Sequence, residues 1–453
     1  MKWKGMVDLA KHVHFIGIGG VSMSGLAHIL LHLNDTVSGS DRQESPETKR
    51  LREAGAEIFI GHSAENIKNP DLAVYTAAIS KDNPELLRAR ALGIPTINRA
   101  DFLGELMRDF EISIAVSGTH GKTTTTGMLA CVFNAAKLNP TVMIGGNLPQ
   151  IGGNIQIGGT DVLILEACEY VDSFLSFNPN IAVITNIEAD HLDYFSSVAQ
   201  IRDSFTRFID RLHAEGCAVV NKDNKNAVVA AEKSDRKKLY YSLRDRSADL
   251  YANELQFNEG IPSFEVMSDG KMLADIALKV RGEHNVSNAL AAFGAAMSFG
   301  VGCEDIAAGL GEFTGTERRF EYRGEVNGVR LFDDYAHHPS EIKTTFLTAE
   351  TYPHNKIWYI FQPHTYSRTQ SLHDEFVDVL SRPENMIIAD IYAARENPIK
   401  NVNAKNLAKD CGADYVGSLS EIAAHLSKKA KNGDLIVTIG AGDVNKIISE
   451  LLL

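Results

Sequence analysis

The stretch 112–135, ISIAVSGTHGKTTTTGMLACVFNA, constrains this chain more than any other. An apolar run with the character of a buried strand meets a glycine-containing turn. The turn ends in Gly121-Lys122-Thr123, and a helix-periodic stretch follows. Nucleotide phosphates need that order. Small residues let backbone N–H groups approach the oxygens, a helix N-terminus adds positive potential, and a lysine ammonium neutralises the terminal phosphates. The expected phosphate cradle is Gly118, Thr119, His120, Gly121, Lys122, Thr123 and Thr124, with Ser117 at the strand end. Thr123 is placed to hold Mg²⁺ through its hydroxyl. The general pattern G-x-x-x-x-G-K-[ST] has Gly where Val116 stands here, so a glycine turn that merely reverses the chain is the competing reading.

At 453 residues the chain exceeds one ordinary core, and three domains are expected. A net charge of −13 without a long basic block argues against a general nucleic-acid binder, although phosphate sites are local and survive a negative total. Five scattered cysteines, odd in number and without C-x-x-C, suit reduced thiols in a cytoplasmic protein. The first twenty residues carry no export signal, and no apolar run approaches the ~18 residues of a membrane span. Membrane insertion is therefore not expected, and the oligomeric state stays open.

Short strand-like runs alternate with helical stretches over the first hundred residues (HVHFIGIG, DTVSGSD, AEIFIGH, LAVYTAAI, IPTIN), which predicts a Rossmann-like parallel sheet over 1–107. A second α/β unit, 108–315, is the P-loop ATPase-type unit. It contains PTVMIGG, DVLILEAC, IAVITNIE and CAVVNKD, and alternation in short bursts across 248–281 predicts a small antiparallel region. The stretch GTERRFEYRGEVNGVRLFDDYAHHP reads as a hinge into a third, Rossmann-like α/β unit, 316–453, with strands in KIWYIFQP, NMIIADIY, ADYVG and DLIVTIGAG.

Gly17-Ile18-Gly19-Gly20-Val21-Ser22-Met23-Ser24 follows the first strand and opens a helix, as a dinucleotide fingerprint does, although Ser22 replaces the third glycine. Asp41 stands 22 residues past Gly19, where an acid reaches a ribose hydroxyl. A pyrophosphate site and a tight packing turn both remain open on these residues. Two further strand ends carry acids: Glu166 and Glu169 in DVLILEACEY, and Asn186, Glu188, Asp190, His191 and Asp193 in IAVITNIEADHLDYF. Ligands of open parallel sheets gather at carboxyl ends of strands, so Glu166 and His191 are placed to face the phosphates if their strands are neighbours. His191 is an unusual partner for Mg²⁺, which favours oxygen.

FIGIGGVSMSGLA, SGTHGKTTTT, EACEY…FLSFNP, ITNIEADHLDYF, GEHNVSNALAA, TGTERRFEYRGE, DDYAHHPSEI, FQPHTYSRT and GAGD, in that order and spacing, resemble the Mur ligase family across nearly the whole chain, and within it the alanine-adding branch. The resemblance implies three domains, for a UDP-linked substrate, for ATP and for an amino acid. It also implies a reaction in which ATP phosphorylates the carboxylate of UDP-N-acetylmuramate and the amine of L-alanine displaces the phosphate. By matched position it implies Lys122 on the transferred phosphate, Thr123 and Glu166 on one Mg²⁺, and Glu166 with His191 on a second. Asn285, Asn288, Arg319, Asp334 and Tyr335 are implied at ATP, and His337 and Arg368 at the alanine. Gly17, Gly19, Gly20, Val21, Ser22, Met23, Ser24, Asp41 and His120 are implied at the UDP substrate. The chain departs from the pattern at Ala336, often Gly, and at Thr365, where many relatives carry Arg near the amino acid. No lysine lies between His191 and Lys222, so no carbamylated lysine is expected at the second metal.

Three other readings have distinct signatures. A recycling ligase of the same family adds a preformed peptide, and its motif after the acidic strand resembles EADEYDTAFF rather than EACEYVDSFLSFNP. An NAD-dependent oxidoreductase would explain the first glycine turn but leave the Gly-Lys-Thr loop idle. A P-loop regulatory module would leave the polar motifs of the last third without work.

Overall fold

The computed structural model describes residues 10–453 apart from 77, 78, 193 and 395. The reading of residues 1–9 and the acid Asp193 lie outside the described residues. The chain forms three α/β sheets in succession. Strands β1 (His12–Ile16), β2 (Thr36–Asp41), β3 (Glu57–Ile60), β4 (Leu72–Tyr75) and β5 (Thr96–Asn98) make an all-parallel sheet in the order β3-β2-β1-β4-β5. The order reverses beside β1, and the carboxyl end of β1 runs through Gly17 into the helix Val21–His32. A crevice opens at such a reversal.

Central strands are β6 (Ile112–Ser117), β7 (Thr141–Leu148), β8 (Gly153–Gln156), β9 (Val162–Glu166), β10 (Ile181–Ile184), β11 (Cys217–Asn221), β12 (Lys237–Ser242), β13 (Leu250–Asn258), β14 (Ile261–Ser268) and β15 (Lys271–Ala277). They join one sheet in the order β15-β14-β13-β12-β11-β10-β6-β9-β7-β8. The antiparallel region expected at 248–281 is present as β13–β15, and it extends the parallel sheet edge-on through the parallel β12–β13 pair. β6 lies between β9 and β10, so the strands carrying Glu166 and His191 flank the strand that feeds the phosphate loop. That adjacency is the condition on which a shared site depended.

The last sheet holds β16 (Glu321–Val326), β17 (Val329–Asp334), β18 (Ile357–Phe361), β19 (Met386–Ile388), β20 (Asp414–Tyr415) and β21 (Leu435–Ile439), in the order β16-β17-β21-β18-β19-β20. The stretch read as a hinge is largely an antiparallel hairpin, β16–β17, that forms the sheet's edge. Its charged residues Glu321, Arg323 and Glu325 suit a strand with one side free and mask the strand signal.

One apolar core is continuous from the first unit into the second, running from Val13, Phe15 and Leu106 to Phe174, Phe205 and Phe208. The third unit has its own cores, on the two faces of its sheet, and among the described residues no apolar cluster joins them to the second unit. Polar contacts cross that seam instead: Glu317 donates its N–H to Asn147 O (2.9 Å), and Asn147 Nδ2 donates to Glu317 Oε1 (2.7 Å). Phe174, fully buried, stacks on Phe208 at 4.6 Å between centroids and meets Phe205 edge-on at 5.1 Å. Phe174→Ala should cost about 3–5 kcal/mol by leaving a cavity in the shared core. A thermal midpoint unchanged from that of the parent protein would contradict this account of the core.

Candidate active site

β6 ends at Ser117, and the turn that follows returns the chain into the helix Lys122–Ala135. Two glycines are required there. Gly118 has φ +142°, and a Cβ on it would lie 2.0 Å from Thr185 Oγ1; Gly121 has φ +83°, and its Cβ would lie 2.6 Å from Asn288 Oδ1. Val116, by contrast, is a fully buried strand residue paired with Val183 and Glu166. The glycine of the general pattern thus has no turn to make at 116, and Gly118 serves two residues later.

Lys122 folds back over its own turn. Its ammonium donates to the carbonyls of Gly118 and Thr119 (the latter at 3.1 Å) and to Glu169 Oε2 at 3.0 Å. Burial alone would depress this ammonium, but the Glu169 carboxylate holds it well above the usual lysine range. Glu169, 2% exposed, was visible in the sequence only as a second acid after Glu166; its spacing gives no sign that it pairs with the loop lysine.

Glu166 accepts the Gly145 N–H at 2.6 Å. Burial raises its pKa, against the opposing pull of that N–H, Lys122 and the Thr123 hydroxyl. A half-buried carboxylate beside the loop threonine is a hard-oxygen pair of the kind Mg²⁺ takes. His191 has φ +52°, and its described contacts are to Glu169 (3.9 Å), Asp190 (3.8 Å) and the Tyr170 ring (centroids 4.6 Å apart). The sheet therefore brings His191 to the same acidic strand end, with Glu169 as its nearest described carboxylate on that strand.

A cleft of about 500 Å³ opens between the second and third units. One wall carries His120, Gly121, Thr124, Asn285 and Asn288, and the other Arg319, Asp334, Ser340 and Glu341. Asn288 Nδ2 donates to Asn285 Oδ1 at 3.2 Å, and Thr125 Oγ1 donates to Asn288 Oδ1 at 3.4 Å. These bonds fix the helix Glu283–Phe299 against the loop. Arg318 and Arg319 part company: Arg318 braces Asp333 (2.8 Å) and the Gly440 and Gly442 carbonyls, while Arg319 faces the cleft 3.7 Å from Glu341. Both guanidiniums lie over the Tyr335 ring, at 5.0 and 5.4 Å. Asp334 accepts the N–H groups of Phe320 and Ala336, yet burial pushes its carboxyl up to about 7.

Glu341 organises the cleft, and sequence reasoning missed it. It accepts the N–H groups of His337 (3.0 Å) and His338 (3.3 Å) as the reciprocal half of a capping box on the helix Pro339–Ala349, and lies 3.1 Å from His120 Nδ1. The capping-box spacing in HHPSE, with His338 in the cap position, Pro339 after it and Glu341 three residues on, is the signal that could have found it. Burial would lower the pKa of His120, but the carboxylates of Glu341 and Glu188 raise it to about 9. A histidine raised above its free value of 6.5 stabilises the fold fully below that pH and loses the contribution as pH rises through 9. Glu341→Gln should accordingly destabilise the protein much more at pH 7 than at pH 10, read as the difference in thermal midpoint. An equal difference at both pH values would refute the charge pairing.

Deeper in the third unit, Arg368 Nη2 lies 3.2 Å from Asp190 Oδ1 and Nη1 lies 3.4 Å from His364 Nδ1. His337 stands alongside, its ring 6.0 Å from that of His364, and burial with the Arg368 charge brings its pKa to about 4 despite the opposing Glu341. His337 and Arg368 are therefore together, as expected, against the second unit's Asp190. Thr365 N-caps the short helix that carries Arg368.

In the first unit the Gly17 and Ile18 N–H groups are spent on Ser40 O. Asp41 Oδ2 accepts the Gly19 N–H at 2.9 Å, so the acid reaches back to the glycine turn itself. Gly20 is the N-cap of the helix, and Val21 is exposed at its start. Ser22 Oγ accepts from Arg99 Nη1 at 2.9 Å, a partner 77 residues away that spacing could not reveal. Met23 and Ser24 are buried, and the Ser24 hydroxyl donates to Val21 O.

Three family descriptions match the chain: "Mur ligase family, catalytic domain" over residues 12–111, "Mur ligase middle domain" over 116–296, and "Mur ligase, glutamate ligase domain" over 318–442. Among curated relatives, a UDP-N-acetylmuramate–L-alanine ligase of Acetivibrio thermocellus is 48% identical, over 96% of this chain and 94% of its own. One of Alkaliphilus metalliredigens is 46% identical over 98% and 97%. Among solved structures, a UDP-N-acetylmuramate-alanine ligase from Thermotoga maritima superposes with a TM-score of 0.82 at 29% identity, covering 97% of this chain and 98% of that one. A murein peptide ligase from Psychrobacter arcticus gives 0.76 at 28% identity with the same coverage.

Proposed function

Since the chain belongs to the Mur ligase family, whose members are ATP-dependent ligases, we propose that it joins L-alanine to the lactyl carboxylate of UDP-N-acetylmuramate, releasing ADP and phosphate, in peptidoglycan precursor synthesis. The observation that carries this reading is the placement of the phosphate loop, through His120, Gly121 and Thr124, on one wall of a cleft whose other wall bears Arg319, Asp334 and Glu341, with the Glu166 strand paired to the strand that feeds the loop. A carboxylate is a poor acylating agent at neutral pH, and transfer of the γ-phosphoryl group supplies a leaving group. The alanine amine then adds to the acyl carbon, and the tetrahedral intermediate expels phosphate to leave an amide.

This reading assigns roles to the chain's own groups. Lys122 exchanges Glu169 for the transferred phosphate, and the Gly118–Lys122 N–H groups cradle the triphosphate. Asn285, Asn288, Arg319, Asp334 and Tyr335 orient the nucleotide, and Arg319 offsets charge on the phosphates. Mg²⁺, held by Thr123 and Glu166 with His191 nearby, would neutralise phosphate charge. Arg368 grips the alanine carboxylate, and His337, neutral at pH 7, stands beside it. The turn Gly17–Ser24, Asp41 and His120 serve the UDP substrate. Residues 1–107, 108–315 and 316–453 serve the UDP substrate, ATP and the amino acid in turn. No helix among the described residues is long and apolar enough to cross a membrane, in keeping with work in the cytoplasm on soluble nucleotides.

Phosphate release from ATP should require both UDP-N-acetylmuramate and L-alanine. Release with the tripeptide but not with alanine would reassign the chain to peptide recycling, and hydride transfer on adding NAD would remove it from ligases altogether.

A further inference from the structure

Outside the Thr123–Glu166 pair, the described residues hold one group of three metal-binding side chains, His120, Glu188 and His338, whose ligand atoms all lie within 4.8 Å of one another. The two histidines turn one ring nitrogen each, His120 Nε2 and His338 Nδ1, toward the same Ser340 hydroxyl. His338 Nε2 lies 3.0 Å from the Ala189 carbonyl, which can only accept, so Nε2 carries the proton and Nδ1 the lone pair, which accepts the Ser340 N–H at 3.3 Å in the helix cap. His120 Nδ1 faces the Glu341 carboxylate at 3.1 Å, while its Nε2 points the other way, 3.3 Å from Glu188 Oε2. Ser340 Oγ lies 2.8 Å from both His120 Nε2 and His338 Nδ1 and bridges them. His338 thus has its remote nitrogen fixed by a backbone carbonyl, and the remote nitrogen of His120 faces the Glu341 carboxylate. That is how metal-binding histidines are held in the right tautomer and orientation.

We propose that His120 Nε2, His338 Nδ1 and a Glu188 oxygen form a site for a divalent transition ion of the Zn²⁺ class, separate from the Mg²⁺ position at Thr123 and Glu166. Two imidazoles and one carboxylate with an open fourth position suit Zn²⁺ or Co²⁺ and do not suit Mg²⁺, which prefers oxygen ligands in an octahedron. The ion takes the place of the proton on His120 Nε2 and of the Ser340 N–H on His338 Nδ1, and the Ser340 hydroxyl turns aside or remains as a neutral fourth ligand. Glu188 and Glu341 supply the negative charge that a dication needs. Because His120 and Glu188 belong to the second unit and His338 to the third, the ion ties the two walls of the cleft together. The proposal concerns binding and stands whether or not the ligase reading holds.

The test is a Co²⁺ titration of the full-length, metal-free protein in excess Mg²⁺, followed by equilibrium dialysis and by the visible absorption of four-coordinate Co²⁺. One Co²⁺ per chain, displaceable by Zn²⁺, is expected. His338→Ala and Glu188→Gln should each weaken affinity by at least about tenfold, since loss of even an outer-shell partner typically costs about 10–100-fold. His191→Ala should leave affinity unchanged, and His338→Cys, which keeps a zinc ligand, should restore Zn²⁺ binding that His338→Ala loses. Unaltered Co²⁺ affinity in His338→Ala, or its loss in His191→Ala, would overturn the assignment.

Discussion

Lys122→Ala should lower the ligation rate by about a thousandfold or more while leaving UDP-N-acetylmuramate affinity nearly unchanged. Losing a single preorganised donor to developing charge costs about 10²–10³ in rate, and this lysine carries a full charge on the transferred group. In the proposed layout the glycine turn of the UDP-substrate site and the ATP loop follow strands of different sheets, so UDP-substrate binding is expected not to depend on the ammonium. The substitution also strips Glu169 of its cation, and at 2% exposure that carboxylate gains little from water. Some loss of thermal stability is therefore expected, and a cooperative thermal transition is the check that the chain is folded. Joint loss of ligation and UDP-substrate binding in a folded variant would contradict a two-site layout. A rate within tenfold of the parent protein would remove Lys122 from the phosphate.

Arg368→Ala is expected to raise KM for L-alanine roughly 100-fold with a smaller effect on kcat, since a charge-assisted hydrogen bond to a carboxylate contributes about 1.5–3 kcal/mol. Its described contacts use one N–H each of Nη1 and Nη2, on His364 and Asp190, so Nε and the second hydrogens of both Nη atoms remain for a ligand. Thr365, one turn earlier, caps the helix instead of offering a second cation, which concentrates the demand on Arg368. Arg368→Lys should recover only part of the affinity, because an ammonium cannot present the planar fork. A variant whose KM for alanine is unchanged while kcat collapses would place Arg368 on the reacting atoms and not on the amino-acid carboxylate.

What the sequence revealed follows from locality. The phosphate loop was legible because strand, turn, lysine and helix are contiguous, and the parallel sheets because glycines and helical stretches punctuate short apolar runs. β12 was missed, since KKLYYS has two lysines at its start and a half-buried middle. β16 was missed because alternating acids and an arginine on an edge strand look like a solvated linker. The site was legible wherever one element carries the groups, as at Gly118–Thr124. It was opaque wherever two distant stretches meet. His120 and Glu341 are 221 residues apart, Arg368 and Asp190 are 178 apart, and no spacing rule connects them. The pairing of Lys122 with Glu169 was hidden for the same reason: the order of strands in the sheet, unknown until folding, sets it.

The unequal seams have a mechanical consequence. Separating the first two units would expose hydrocarbon of their common core to water, whereas the other seam is crossed by hydrogen bonds, ion pairs and the contacts Arg281–Tyr352 and His120–His338, polar groups that water can solvate at modest cost. The last third of the chain is therefore expected to swing as a jaw against a two-unit anvil when a nucleotide is admitted. Most of the sequence is committed to standing still.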